Sequence, residues 1–204
     1  ADMAPLIGAN RKWLKECMPK IRSTKNNGIK AIIKKLGIDE TDITSEDIGF
    51  KIAPLINAVG RIGDPKLIMD LLINDSNGSI IDIANDCFAI NKERKKITEL
   101  VEEEAIQLAE REYANNKKFL VITKRDWHPG IIGIVAARLV DKFNLPTAIL
   151  SEGNDKIFRG SVRSNNMLKV NHALDECQDI LIANGGHSAA AGFTIQEDNI
   201  PNLK

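Results

Sequence analysis

The hydrophobic periodicity of this chain changes near residue 117, and this change constrains the fold more than any other sequence feature. Upstream, apolar residues recur at the spacing of amphipathic helices over segments 10–21, 29–36, 48–56, 67–73 and 79–116. Downstream, apolar runs of strand length occupy 119–123, 145–150, 156–162 and 192–195, with helical patterns over 131–143 and 168–177. Apolar strands alternating with helices are typical of an α/β layer. We therefore predict the α/β class, with a helical connector over residues 1–116 and a compact α/β domain over 117–204 whose mixed sheet is covered by helices.

Local signals place the breaks within the helical part. Thr44 followed three residues later by Asp47 predicts a capped helix start. The segment 57–65 contains two glycines and several polar residues, which predicts a loop, and Asp64-Pro65 at its end predicts the start of another helix. The chain opens abruptly in an apolar context without an initiator methionine, which we interpret as a piece of a longer protein.

Composition excludes several classes of protein. With 43% apolar residues the chain is globular, and no apolar run has the ~20 residues of a membrane span. Three widely spaced cysteines form neither a disulfide framework nor a zinc pattern, so we predict a cytoplasmic protein. We also expect a monomer that makes no membrane contact. The formal net charge is zero, yet residues 1–36 hold nine basic and two acidic residues (+7), and residues 117–169 hold ten and four (+6). Such segregation allows a positive face on a neutral molecule.

The stretch 184–193 has the composition of a ligand-binding turn. Gly185 and Gly186 allow φ > 0 and a close backbone approach, His187 follows at once, and the next residues are small. A glycine turn with a surface histidine is the plainer alternative. The polar segment 159–164, which we predict to be a second loop, adds arginine and serine side chains, and together the two loops hold the donors of a phosphate site.

Motifs for catalysis are missing from the sequence. The three histidines, His128, His172 and His187, are far apart, and we predict no metal site in this chain. The chain also lacks a Walker loop, a Gly-x-Ser-x-Gly elbow and a cysteine–histidine pair with catalytic spacing. The sequence therefore favours the substrate-binding part of a protein over a part that carries its own catalytic site.

Four segments in fixed order carry a family resemblance. They are Asn57-Ala58-Val59-Gly60-Arg61-Ile62-Gly63-Asp64, Trp127-His128-Pro129-Gly130-Ile131-Ile132-Gly133-Ile134-Val135-Ala136, Gly160-Ser161-Val162-Arg163-Ser164 and Gly185-Gly186-His187-Ser188-Ala189-Ala190-Ala191-Gly192. In these segments the chain resembles the DHH phosphoesterase superfamily. The first two point within it to the RecJ-type single-stranded-DNA exonucleases, and the resemblance covers almost the whole chain.

The resemblance implies that catalysis needs residues beyond this sequence. The superfamily is named for an Asp-His-His triplet in an N-terminal domain that binds two Mn²⁺ or Mg²⁺ ions, and no such triplet occurs here. By resemblance, residues 1–6 form the tail of that domain, and 117–204 form the DHH-associated, nucleic-acid-binding domain. The resemblance implies that the full-length protein is a 5′→3′ exonuclease that uses Mn²⁺ or Mg²⁺. This chain would bind neither ion and would be inactive alone.

The resemblance also implies roles for individual residues. Arg61, Ser161 and Arg163 would bind the 5′ phosphate of single-stranded DNA, and Asn57 would also contact substrate. His187 would act as the catalytic residue facing the scissile phosphate, with the Gly185 and Gly186 amides beside it. The family often has arginine where Leu55 stands, so that contact is not expected here. Repair or replication proteins are the implied protein partners.

Plainer roles and other functions stay open at this point. Arg61 can cap a helix or pair with Asp64, Ser161 can be a strand-end hydroxyl, and Arg163 can be an exposed basic side chain. Trp127 is more often a core residue than a base-stacking one, and His128 more often orders a loop. The alternative functions are a phosphatase of short oligonucleotides or nucleotides from the same superfamily, and a non-catalytic module that binds nucleotide or protein.

Overall fold

The protein is described by a computed structural model over residues 5–73, 77–165 and 168–203. The chain divides into two compact units, unit 1 over Ala1–Arg94 and unit 2 over Lys95–Lys204. This division falls inside a long helix. The sequence-based division after residue 116 stays a prediction, and the interpretation of residues 1–4 concerns residues outside the described part. No helix of the described ranges combines the length and the apolar character that a membrane crossing needs.

Unit 1 is built from helices. Its elements are α1 (Gly8–Ile21), α2 (Asn27–Lys35), a 3₁₀ turn (Glu40–Asp42), α3 (Ser45–Asp47), a π-helical turn (Ile48–Ile52), α4 (Ala53–Ile62), α5 (Lys66–Ile73) and the first part of α6 (Asn77–Ala114). Isoleucine and leucine side chains from these elements form its core; Ile32, Ile33, Ile43, Leu55 and Leu71 are fully buried. The predicted helices are confirmed. The predicted loop 57–65 is wrong for residues 57–62, because α4 continues to Ile62 with Ala58 and Val59 on its buried side.

The capping prediction is confirmed in detail. The Thr44 hydroxyl accepts a hydrogen bond from the Asp47 N–H at 3.2 Å, and the Asp47 carboxylate accepts one from the Thr44 N–H at 3.0 Å. Lys51, one turn further on, donates to the same carboxylate at 2.6 Å. First the Lys51 ammonium and then the Thr44 donors lower the pKa of Asp47 from 3.8 to about 2.

This carboxylate makes stability depend on pH. A pKa lowered by folding means that the Asp47 charge stabilises the folded state above pH ~4, and this contribution is lost as the pH falls toward 2. We expect Lys51→Met to raise the pKa of Asp47 toward its ordinary value, as followed by an NMR titration of its carboxyl carbon. Lys30→Met removes an equal charge elsewhere and is the control. An Asp47 pKa that is the same in both variants would contradict the assignment.

Unit 2 contains a five-stranded mixed sheet. The strands are β1 (Leu120–Thr123), β2 (Thr147–Glu152), β3 (Ile157–Arg163), β4 (Leu181–Gly186) and β5 (Ala190–Gln196), in the order β1-β2-β3-β5-β4. Only the β1–β2 pair is parallel among these strands. The α/β class with a mixed sheet is confirmed.

Helices cover this sheet on both faces. On one face α8 (Val170–Asp175) and α9 (Ile200–Leu203) pack over Leu150, Phe158, Val162 and Phe193. On the other, α7 (Pro129–Phe143) lies over β2 and β3. The second part of α6 runs beside α7, where Glu102 pairs with Arg138 and Glu110 lies 3.8 Å from Lys142.

Two predictions for unit 2 are corrected. Strand β4 was missed, since Gly185 and Gly186 belong to this strand and not to a turn. The strand predicted over 156–162 is confirmed as β3, so the overlapping prediction of a loop over 159–164 is wrong for all of its residues except Ser164. At β4 the pairing with β5 holds an extended backbone that the local composition does not favour.

Candidate functional site

Strand β3 presents a row of polar side chains on one face of the sheet. Side chains alternate along a strand, so Phe158 and Val162 enter the core under α8, whereas Arg159, Ser161 and Arg163 point to the α7 side. The polar segment of the sequence is therefore one row on a rigid strand, which fixes its side chains better than a loop would.

Within this row Arg163 and Ser161 are held side by side. The Arg163 Nη1 donates to the Ser161 hydroxyl oxygen at 2.9 Å and to the Val162 carbonyl oxygen at 2.8 Å. Both side chains are half-buried. A guanidinium carries five N–H donors in one plane, so these two bonds orient the plane beside the hydroxyl.

Gly133 of α7 makes room for this pair. A Cβ at residue 133 would lie 2.8 Å from the Arg163 Nη2 and 2.9 Å from the Ser161 Oγ, closer than real Cβ atoms come. Gly133 belongs to the second of the four segments that carry the family resemblance, but we predicted no role for it. The available signal was a glycine between isoleucines in the middle of a predicted helix, where glycine lowers helix stability and therefore needs a reason.

On the β5 side of Ser161 the sheet surface is formed by glycines without side chains. Ser161 pairs with Gly192 on β5, and Gly192 pairs with Gly185 on β4, so the three residues form one row on the same face. No described atom lies within 4 Å of the position that a Cβ on Gly185 would occupy. The result is a flat, open area of backbone next to the Ser161–Arg163 pair.

His187 closes the hairpin between β4 and β5. Its N–H donates to the Ala190 carbonyl oxygen at 2.8 Å, and the Ala190 N–H returns a bond at 3.3 Å, so Ser188 and Ala189 form the loop. The imidazole is exposed. Ala190 pairs with Arg163 on β3, which places this hairpin end next to the arginine.

We predicted that the amides of Gly185 and Gly186 both lie beside the substrate, but only the Gly186 N–H points away from the β4–β5 pairing. Hydrogen-bonded and non-hydrogen-bonded pairs alternate along an antiparallel ladder. Because His187 and Ala190 form a bonded pair, the alternation makes Gly185 part of the next bonded pair, and the Gly186 N–H points to the open edge of β4. Gly186 has a φ of 146°, which favours glycine.

Asn57 and Arg61 lie in unit 1, one turn apart on α4. Both line an open cleft of about 530 Å³ together with Ile56, Gly60, Pro65, Ile68 and Met69. Arg61 is exposed and Asn57 is half-buried. Leu55 faces the opposite way and is fully buried, so this chain offers no substrate contact from that position.

The plainer roles given to Trp127 and His128 are confirmed. Trp127 is only 4% exposed, and its indole N–H donates to the Glu104 carboxylate at 2.8 Å. Hydrogen bonds from Lys124 and then from Trp127 lower the pKa of Glu104. His128 caps α7, since its Nδ1 accepts the Gly130 N–H at 3.0 Å.

The described residues do not fit a metal centre. Among residues 5–73, 77–165 and 168–203, no group of three or more His, Cys, Asp or Glu side chains could hold an ion. We therefore assign no chemical step of these residues to a metal.

Comparison with known proteins defines the class of this structure. The DHHA1 domain family matches residues 116–204, the segment that contains all five strands, the Ser161–Arg163 pair and the His187 hairpin. Over these residues the chain is therefore similar to DHHA1 domains.

Longer matches extend over almost the whole chain. The single-stranded-DNA-specific exonuclease RecJ of Bacillus subtilis is 36% identical over the whole chain, and that of Escherichia coli is 32% identical over 97% of it. The crystal structure of RecJ from Thermus thermophilus in complex with Mn²⁺ superposes with a TM-score of 0.87 at 28% identity, covering 98% of this chain and 29% of that one. Over its whole length the chain is therefore similar to one part of the RecJ exonucleases. It spans 26% of the Bacillus subtilis relative and 36% of the Escherichia coli one.

Proposed function

We propose that this chain is the substrate-binding part of a single-stranded-DNA-specific 5′→3′ exonuclease, and that Ser161 and Arg163 bind the phosphate at the 5′ end. The observation that carries this proposal is the fixed Arg163–Ser161 contact of 2.9 Å beside an uncovered glycine surface. The names of the RecJ relatives support the choice of substrate and reaction.

The chemistry of the pair suits a terminal phosphate. A phosphate monoester is close to a dianion at neutral pH, and a guanidinium fork with a neighbouring hydroxyl supplies several donors in fixed directions. The bare backbone at Gly185 and Gly192 leaves space for the attached nucleotide. An internal phosphodiester carries one charge less, so the pair would select the strand end.

His187 and the Gly186 N–H would contact the next phosphate along the strand. The imidazole is exposed at the hairpin end, beside the residue that pairs with Arg163. It can donate a hydrogen bond to a non-bridging phosphate oxygen, where negative charge grows during hydrolysis. We assign the Mn²⁺ or Mg²⁺ chemistry implied by the resemblance to a domain of the full-length protein that lies outside these 204 residues.

In unit 1, Asn57 and Arg61 would bind the strand through their shared cleft. The pair offers an amide and a guanidinium against apolar walls from Ile68 and Met69. This arrangement suits a phosphate with an adjacent sugar or base. The basic side chains of α1 and α2 would add attraction along the backbone of the DNA.

Binding to matched oligonucleotides tests the proposal. We would titrate the 204-residue chain against a short single strand carrying either a 5′ phosphate or a 5′ hydroxyl group, labelled at the 3′ end. The phosphorylated strand is expected to bind more tightly, and duplex DNA of the same sequence less tightly than either. Equal affinity for the two single strands would refute the proposed role of the pair.

The Gly133→Ala variant should separate binding from folding. Alanine raises helix propensity by up to about 1 kcal/mol, and the atoms it meets are the ends of two movable side chains. We therefore expect the stability of the variant to be unchanged or slightly higher. Its preference for the 5′ phosphate over the 5′ hydroxyl group should fall by about threefold to tenfold, which is less than the loss expected when such a contact is deleted. Gly49→Ala, where an added Cβ meets nothing within 4 Å, is the matched control. Full phosphate preference in Gly133→Ala would show that the glycine does not position the pair.

A further inference from the structure

A second cleft lies on the α7 side of the sheet, at the other end of the polar row on β3. Its volume is about 430 Å³, and its lining residues are Pro129, Gly153, Asn154, Ile157, Arg159 and Thr194. They come from the start of α7, the β2–β3 turn and the strands β3 and β5. The wall therefore combines rigid elements with a tight turn, in which the Ile157 N–H donates to the Asn154 carbonyl oxygen at 3.1 Å.

Arg159 is the charged group of this cleft, and no carboxylate neutralises it. Within the described ranges its guanidinium takes part in no ion pair or hydrogen bond, and the side chain is exposed. At this end of the sheet Glu152 and Glu197 both pair with Arg125, and Asp155 in the β2–β3 turn forms no ion pair with Arg159. Glu152 is the cross-strand partner of Phe158 and so lies on the opposite face from Arg159. An arginine left unpaired in a polar cleft, with a threonine and an asparagine, has the donors for an oxyanion.

The cleft is close enough to the Ser161–Arg163 pair to share a ligand with it. Arg159 and Ser161 are successive residues on the same face of β3, which puts their Cα atoms roughly 7 Å apart. Arg159 pairs with Thr194, whereas Arg163 pairs with Ala190 next to the His187 hairpin. The cleft therefore lies on the side of Ser161 that faces away from His187.

We propose that the cleft around Arg159 is a second phosphate subsite, which binds a further phosphate of the nucleic acid held by Ser161 and Arg163. This inference rests on the proposed function. Because the cleft lies away from His187, the geometry favours the additional phosphates of a 5′-di- or triphosphate end. An internucleotide phosphate of the same strand has the same chemistry and is the second source to be tested.

The test measures binding to the 204-residue chain by fluorescence anisotropy. Three single strands of one sequence, labelled at the 3′ end, carry a 5′ hydroxyl, a 5′ monophosphate or a 5′ triphosphate. Inorganic tripolyphosphate, titrated by calorimetry, probes the subsite without DNA. The variants are Arg159→Gln, Arg159→Lys and, as a control with equal charge loss on the same hairpin but outside the cleft, Lys156→Gln.

We expect Arg159→Gln to weaken binding of the triphosphate strand and of tripolyphosphate by about tenfold, while the preference for monophosphate over hydroxyl persists. Arg159→Lys should retain part of the affinity, and Lys156→Gln nearly all of it. If the ligand is an internucleotide phosphate, Arg159→Gln weakens all three strands equally, and the slope of log K against log salt falls by about 0.7.

The inference is overturned if Arg159→Gln binds the three strands and tripolyphosphate as the unaltered chain does. Failure of the proposed function gives a different result, namely equal affinity of the unaltered chain for the hydroxyl and monophosphate strands. In that case tripolyphosphate binding still tests whether the subsite exists, because tripolyphosphate needs no contact with Ser161 or Arg163.

Discussion

Phe193→Ala is expected to destabilise unit 2 by about 3–5 kcal/mol, the range for truncating a buried aromatic side chain. Phe193 is only 5% exposed and lies in the core under α8. Its ring lies directly over Gly160, the cross-strand partner, where a Cβ would come within 2.2 Å of the ring. Truncation therefore empties a space that no side chain of β3 can fill.

Urea denaturation measures this effect, and hydrogen exchange of β3 and β5 amides localises it to unit 2. Phe50→Ala is the matched control, because Phe50 is 81% exposed and its truncation should change stability by less than about 0.5 kcal/mol. Gly160→Ala alone should also destabilise, by about 1–3 kcal/mol through overpacking. In the double variant the new methyl group occupies vacated space, so the combined loss should be smaller than the sum. A Phe193→Ala variant as stable as Phe50→Ala would disprove this packing.

Arg163→Ala is expected to reduce the preference for a 5′-phosphorylated strand by about 1.5–3 kcal/mol, or roughly 10- to 150-fold. The reason is that the guanidinium is already oriented by its bonds to Ser161 and Val162, so little ordering is needed on binding. Arg163→Lys keeps the charge but loses the planar fork, and an intermediate preference is expected.

The comparison is made on paired 5′-phosphate and 5′-hydroxyl strands, so that a general loss of electrostatic attraction cancels. Arg111→Ala removes the same charge from the exposed surface of α6 and should leave the preference intact. If Arg163→Ala and Arg111→Ala have equal effects, the arginine contributes only long-range charge and the proposed contact is wrong.

The elements that follow from burial alone were predictable from the sequence. Strands β1 and β2 are almost fully buried, so their central residues are apolar and mark them clearly. Strand β4 was missed because it is an exposed edge strand that contains asparagine and two glycines, and only its pairing with β5 keeps it extended. Gly60 likewise led to the wrong prediction of a loop, since packing of the buried side of α4 carries the helix through this residue.

The candidate site was predictable in its residue types but not in its arrangement. Ser161 and Arg163 are two residues apart, yet only their place on a strand puts them on one face. The role of Gly133 depends on a close approach between α7 and β3, which are separated in sequence, and no local pattern encodes that distance. The bonded pairing of Gly185 and the outward N–H of Gly186 likewise depend on the hairpin register.

Recognition of the strand end by Ser161 and Arg163 can be followed by an NMR titration of the ¹⁵N-labelled chain with a short 5′-phosphorylated single strand. In unit 2 we expect amide shifts only in β3 around Ser161 and Arg163 and in the β4–β5 hairpin around Gly186 and His187. These shifts should shrink markedly with the 5′-hydroxyl strand. Shifts that fall instead on the α8–α9 face, or that are the same for both strands, would contradict the claim that this pair recognises the end of the strand.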